Sequence, residues 1–190
     1  DGTPMIAAIS YPSIVILLPA ISIAPRRMPV KAATLFPCPA RAPSHRLKRG
    51  GDTLPIRIFI DPGHNPTGPN TGAEGNGLRE QDVNFEVSMY LADLLRADPR
   101  FAVRLSRNTP TEILGTSNAT SLAMRVNMAN SWPADYFISI HCNSNVNPAI
   151  NGTEVYVYQQ NTQPYWLAQH VLRGIVNRVV TKDNGVRLNP

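Results

Sequence analysis

The sequence predicts an α/β domain with a mostly parallel sheet, flanked by helices on both faces and preceded by a disordered N-terminal tail. Three observations predict it. Short β-branched runs recur at residues 56–60, 101–107, 136–141 and 153–158. Between and after them lie apolar stripes at three- and four-residue steps, the order expected of layered α/β proteins. The first fifty-odd residues carry neither period. A chain of 190 residues fits one domain with a tail, and an apolar fraction of 43% is enough for a core.

The tail is assigned to residues 1–54 and the domain to 55–190. Residues 1–50 hold eight of the 18 prolines, seven of the 18 Lys/Arg and one of the 13 Asp/Glu. The sequence pI of 9.6 therefore describes the tail. The domain has no basic stripe interleaved with aromatics, so no nucleic-acid partner is expected. Residues 11–24 are the most apolar stretch. They fall short of the about 20 residues of a membrane span and are broken by Pro19. Arg26 and Arg27 follow this run, whereas a secretory signal places its charges first. Residues 25–50 bury too little to offset their ordering entropy, so they read as a disordered leader or as sequence foreign to the domain. The two cysteines, Cys38 and Cys142, give no disulfide framework.

Within the domain, residues 56–60 read as a buried strand bounded by Pro55 and Asp61-Pro62-Gly63. Residues 62–77 form a long loop with five glycines, a length that in a compact domain usually marks function. A helix over 81–97 points Val83, Val87, Leu91, Leu94 and Leu95 inward and stops at Pro99. Residues 101–107 alternate as a strand and 108–118 are loop. A helix over 121–130 turns Leu122, Val126 and Ala129 inward. Strands at 136–141 and 153–158 follow, the second entered through Asn151-Gly152. Pro164 opens a last helix, with Leu167, Val171, Ile175 and Val179 stepping by four. Asn184-Gly185 is expected to end it.

Ligands of such sheets collect at the carboxyl ends of strands. His64 and His141 sit at two such ends, and the glycine loop delivers Glu80 to the start of a helix. Two imidazoles and a carboxylate with an open fourth position suit catalytic zinc. The bland alternatives are a loop-bonding histidine and a carboxylate favoured by the helix dipole. Cys142 alternates to the opposite face from His141 and reads as core. His170 reads as a packed or surface residue, and His45 lies in the tail. Glu154 could reach the site, but solvent or a structural partner ranks higher. Arg107 and Arg125 could bind substrate carboxylates, but a solvated role is the default. Neither GxxxxGK[ST] nor GxGxxG is present, so the glycine loop is not a phosphate cradle.

Ile58-Phe59-Ile60-Asp61-Pro62-Gly63-His64, Gly77-Leu78-Arg79-Glu80-Gln81-Asp82-Val83-Asn84, Leu105-Ser106-Arg107-Asn108-Thr109, Arg125 to Asn130, Ala134 to Asn143 and Asn151 to Tyr156 resemble, in order, the N-acetylmuramoyl-L-alanine amidases of the zinc amidase type 3 family. The resemblance covers about residues 56–190. It implies that His64, Glu80 and His141 hold Zn2+. It also implies hydrolysis of the amide between N-acetylmuramic acid and L-alanine in peptidoglycan, by a metal-assisted route with a general base. The partner would be peptidoglycan or muropeptides, with no membrane span, at an extracytoplasmic site in a bacterial envelope or secreted. In the family the base is a second glutamate on an apolar strand near the domain's end. No residue here matches it, and Glu154 lies in a block the family does not use for that role. The expectation is therefore a catalytic domain lacking its last strand, which binds zinc and turns over weakly or not at all. The alternatives are a non-catalytic module that docks stem peptides, and a zinc hydrolase acting on another amide.

Overall fold

The computed structural model describes the backbone of residues 14–18, and residues 54–145, 147 and 149–188 in full. Two sheets and three helices follow in the order β1 (Ile14–Leu18), β2 (Ile56–Pro62), β3 (Glu74–Gly75), β4 (Leu78–Arg79), α1 (Glu80–Arg96), β5 (Phe101–Leu105), α2 (Asn118–Ser131), β6 (Tyr136–Cys142), β7 (Thr153–Val157), α3 (Gln163–Val179) and β8 (Asp183–Leu188). The main sheet has the strand order β5-β2-β6-β1-β7-β8, and β3-β4 is a separate two-stranded ribbon inside the glycine loop.

Four of the five ladders of the main sheet are parallel. The exception is β1 against β6, which splits the sheet into two blocks of three strands running in opposite directions. Strand β1 comes from the region assigned to the disordered tail, so that assignment is corrected for residues 14–18. Ile14–Leu18 is an unbroken apolar run of strand length, and it bonds to β6 on one side and β7 on the other. The rest of the apolar stretch and the Pro-rich region, with Cys38 and His45, lie outside the described residues.

Helices cover both faces. On one, α1 and α3 bury Ile58, Ile60, Leu105, Ile138, Ile140, Val155 and Val157. On the other, Phe59, Phe137, Ala129 and Ala134 pack with Met128 and Trp132 under α2, and Phe59 stacks on Phe137 at 5.8 Å. The alternation along β2 and β6 sets these two cores, because successive side chains point to opposite faces.

Three expected details change. In α2 the inward positions are Ser121, Arg125 and Ala129, while Leu122 and Val126 are 58% and 49% exposed. The reason is Arg125, whose guanidinium finds buried acceptors and so turns its own face of the helix inward. In α1, Leu94 is exposed and Asn84, Ser88 and Ala92 take the buried row. At the end of the chain, α3 stops at Val179 with Val180 in the left-handed region, and Asn184-Gly185 lies inside β8 rather than at the helix end. Residues 183–188 are thus a strand, parallel to β7 and joined through a register shift between Thr153 and Val155.

Candidate metal centre

His64 follows the end of β2, His141 sits in the last turn of pleat of β6, and Glu80 is the first residue of α1. The neighbouring strands place the two histidines side by side. The glycine loop returns Glu80 to them through the β3-β4 ribbon and a backbone bond from Glu80 N to Ala73 O. Two glycines make the close approach possible. A Cβ on Gly63 would lie 2.4–2.6 Å from the His141 ring and the Ile140 carbonyl, and one on Gly72 would lie 2.8–3.0 Å from Glu80, His64 and Gln81. His64 itself has φ of 67°, a left-handed conformation that is sparse outside glycine and recurs at functional sites.

Three atoms converge. His64 Nε2 and His141 Nδ1 are each 3.1 Å from Glu80 Oε1 and 3.2 Å from one another. A tetrahedral ion with bonds of about 2.0–2.1 Å sets its ligand atoms roughly 3.3 Å apart. The triangle therefore has the size a single zinc-like ion needs, and its donors are the borderline and hard atoms such an ion accepts. These three are the residues that could hold a metal ion among those described. The histidines are partly exposed and the glutamate is buried, so the triangle is open to solvent on one side.

Glu80 is held as an anion. Burial works to raise its pKa, but hydrogen bonds from His141 and His64, the Ala73 N–H and the His64 charge outweigh burial and hold the carboxyl well below its usual range. Its Oε2 accepts from Ala73 N at 3.0 Å and its Oε1 from Cys142 N at 3.0 Å. The Cys142 thiol turns to the opposite face, towards Asn84 at 3.4 Å, as alternation requires. Burial, with the Glu80 charge beside it, pushes that thiol up to about 12. The thiolate is the nucleophilic form, so a Cys142–His141 pair is not a nucleophilic dyad at neutral pH.

Behind the triangle lies a polar scaffold missed by sequence reasoning. Arg125 is 2% exposed, not solvated. It donates to Asp61 Oδ1 at 2.6 Å, to the Pro62 and His64 carbonyls at 2.7 Å and to Asn65 Oδ1 at 3.0 Å. Ser106 and Ser139 complete the shell around Asp61. The backbone that presents His64 is thus gripped from α2. Arg107, also read as solvated, is 1% exposed. It donates to the Gln81 carbonyl at 3.0 Å and lies 5.1 Å over the Phe85 ring, steadying the start of α1. Burial, and next the Arg125 charge, lower its guanidinium to about 10, so it stays charged at neutral pH. The spacing of Leu122, Val126 and Ala129 pointed at α2, but nothing in the sequence marks an arginine whose partners come from another element.

The remaining candidates stand apart from the triangle. Glu154 is 8% exposed. It is held by Asn143 Nδ2 at 2.7 Å, Tyr156 OH at 2.9 Å and Arg187 Nε at 3.4 Å, a structural set of partners. His170 is exposed on α3 and bonds the Trp166 carbonyl. No helix of the described residues is long and apolar enough to cross a membrane.

The fold is an α/β domain that brings two histidines, at the carboxyl ends of β2 and β6, and one carboxylate, at the start of α1, to within 3.2 Å of one another. The chain belongs to the type 3 family of N-acetylmuramoyl-L-alanine amidases, whose family model matches residues 58–190. It is 35% identical over 132 residues to the N-acetylmuramoyl-L-alanine amidase CwlM of Bacillus licheniformis, which covers 68% of this chain and 47% of that protein. It is 36% identical over 134 residues to the amidase LytC of Bacillus subtilis (strain 168), covering 68% of this chain and 25% of that one. The crystal structure of an N-acetylmuramoyl-L-alanine amidase from Clostridium difficile 630 matches with a TM-score of 0.61 at 31% identity, over 72% of this chain and 71% of that chain. The chain therefore spans half or less of the length of these two curated relatives.

Proposed function

We propose that His64, Glu80 and His141 hold one Zn2+ and that the domain hydrolyses the amide between N-acetylmuramic acid and L-alanine in peptidoglycan. The observation that carries this reading is the triangle of 3.1–3.2 Å edges, open on one side, in a chain of the amidase family. Bound there, zinc would supply Lewis acidity towards an amide carbonyl. The chain's own residues do the rest of the positioning. Glu80 is kept ionised by the bonds around it, Gly63 and Gly72 let the ligands close up, and Arg125 fixes the turn that carries His64. The substrate places the site of action outside the cytoplasm, in a bacterial envelope or secreted.

Among the described residues no second carboxylate joins the cluster, since Glu154 is spent on Asn143, Tyr156 and Arg187. That observation favours slow turnover, and it supports a second reading, a module that docks muropeptides without cleaving them. Digestion of purified muropeptides by the zinc-loaded protein separates these. Release of free stem peptide beginning at L-alanine supports the amidase. Cleavage at any other bond contradicts it, and saturable binding without release selects the module.

A further inference from the structure

A cavity of about 230 Å³ opens near the candidate metal centre, lined by residues 143–145, Ile150, Asn151, Glu154 and Asn184. It lies on the same face of the sheet as His141. Val15 of β1 is opposite His141 on one side and Glu154 on the other, so these two residues share a row two strands apart, about 9–10 Å between backbones. Asn143, just past the end of β6, reaches that row by donating to Glu154 Oε1 at 2.7 Å.

The chemistry of the lining is specific. Asn143, Asn151 and Asn184 each use one side-chain N–H inside the chain, on Glu154 Oε1, the Ala149 carbonyl and the Asn151 carbonyl. Each leaves its Oδ1 without a hydrogen bond among the described residues. Asn145 does the reverse: its Oδ1 accepts from Asn147 N, leaving the NH2. Glu154 is charged, but two donors occupy Oε1 and Arg187 faces Oε2. The cavity thus offers three neutral acceptors, amide N–H donors, the Ser144 hydroxyl and the exposed apolar surface of Ile150, with its one anion already countered.

A carboxylate-bearing peptide finds no free cation there. A neutral group rich in O–H and N–H donors with an apolar face finds both kinds of partner, and a sugar ring has that character. The volume is below the roughly 300–1,000 Å³ of sites for drug-sized ligands, which suits one ring or one short group rather than a whole muropeptide. We propose that this cavity is a saccharide subsite that takes a sugar of the glycan strand while the muramoyl amide lies at the metal centre. This rests on the proposed peptidoglycan substrate, and it assigns a side of that substrate to a place on the sheet.

The test uses zinc-loaded protein and the peptide-free disaccharide of N-acetylglucosamine and N-acetylmuramic acid, titrated by calorimetry or NMR, with a glycan-free stem peptide as the second probe. Asn184→Ala and Asn145→Ala are expected to weaken disaccharide binding at least tenfold, leaving stem-peptide binding and zinc content unchanged. Two variants from different segments guard against local misfolding in either. Unaltered disaccharide affinity in both variants overturns the proposal, as does a wild-type protein that binds no disaccharide. A protein that binds the disaccharide through these asparagines yet cleaves no muropeptide would support the subsite and count against the amidase reading. One that cleaves muropeptides with the same KM in wild type and both variants would do the opposite.

Discussion

At the residue scale the centre depends on small side chains as much as on its ligands. A Cβ on Gly63 would stand 2.4 Å from the His141 ring, too close for a methyl group. Gly63→Ala is expected to displace that ring and lower metal affinity about 10–100-fold, the usual cost of disturbing the support of a ligand, as read by competition with a chromogenic chelator. The buried Arg125–Asp61 pair makes a second prediction. Asp61→Ala would leave a buried guanidinium without its anion and destabilise by about 3–5 kcal/mol in urea unfolding. A loss under 1 kcal/mol would mean that water reaches Arg125. The three candidate ligands stood out in the sequence because each sits where a run of β-branched residues, or a glycine loop, gives way to something else. Arg125 and Arg107 were not, because burial of a charge depends on acceptors from β2 and α1 that lie far off in the chain. The default for a lone arginine is a wet surface.

Elements were legible in type more than in facing. The stripes announced α1, α2 and α3 within a few residues of their ends, yet α2 turns Ser121, Arg125 and Ala129 inward and leaves Leu122 and Val126 outside. Apolar spacing assumes that burial is hydrophobic, and α2 is oriented by an ion pair. Its start is strong: Ser117 and Thr120 form a reciprocal capping box. Ser117→Ala is expected to cost about 1 kcal/mol, seen as a fall in Tm of roughly 2–4 °C for a chain of this size. The end of α3 shows the opposite case. Val180 is 91% exposed and holds φ of 52°, where a β-branched residue is disfavoured. Val180→Gly is expected to stabilise by about 0.5–1 kcal/mol, the relief of left-handed strain less the entropy of glycine. An unchanged or lower Tm would contradict this. Because Val180, not Asn184-Gly185, closes the helix, the following residues are free to pair as β8, a strand that glycine punctuation concealed.

At the scale of the whole molecule, the sheet is two parallel blocks of opposite direction meeting at β1 and β6. The order of elements after residue 55 was readable from period and punctuation. The seam was not, because an apolar run of five residues carries no sign of which strands it will join, and its partners lie more than a hundred positions away. A bound metal would couple this architecture to stability. An ion that binds only the folded state at about 100 times its Kd adds about 2.7 kcal/mol. Zinc is therefore expected to raise Tm by roughly 5–10 °C, reversed by a chelator and absent in His64→Ala.

The most direct test of the centre is the zinc content of the purified chain beside Glu80→Ala and His141→Ala, with folding of each checked by circular dichroism. The account predicts about one zinc per chain, lost or much weakened in both variants. Folded wild-type protein that takes up no zinc, or variants that keep it, would contradict the triangle as a metal centre and return the two histidines to a structural role.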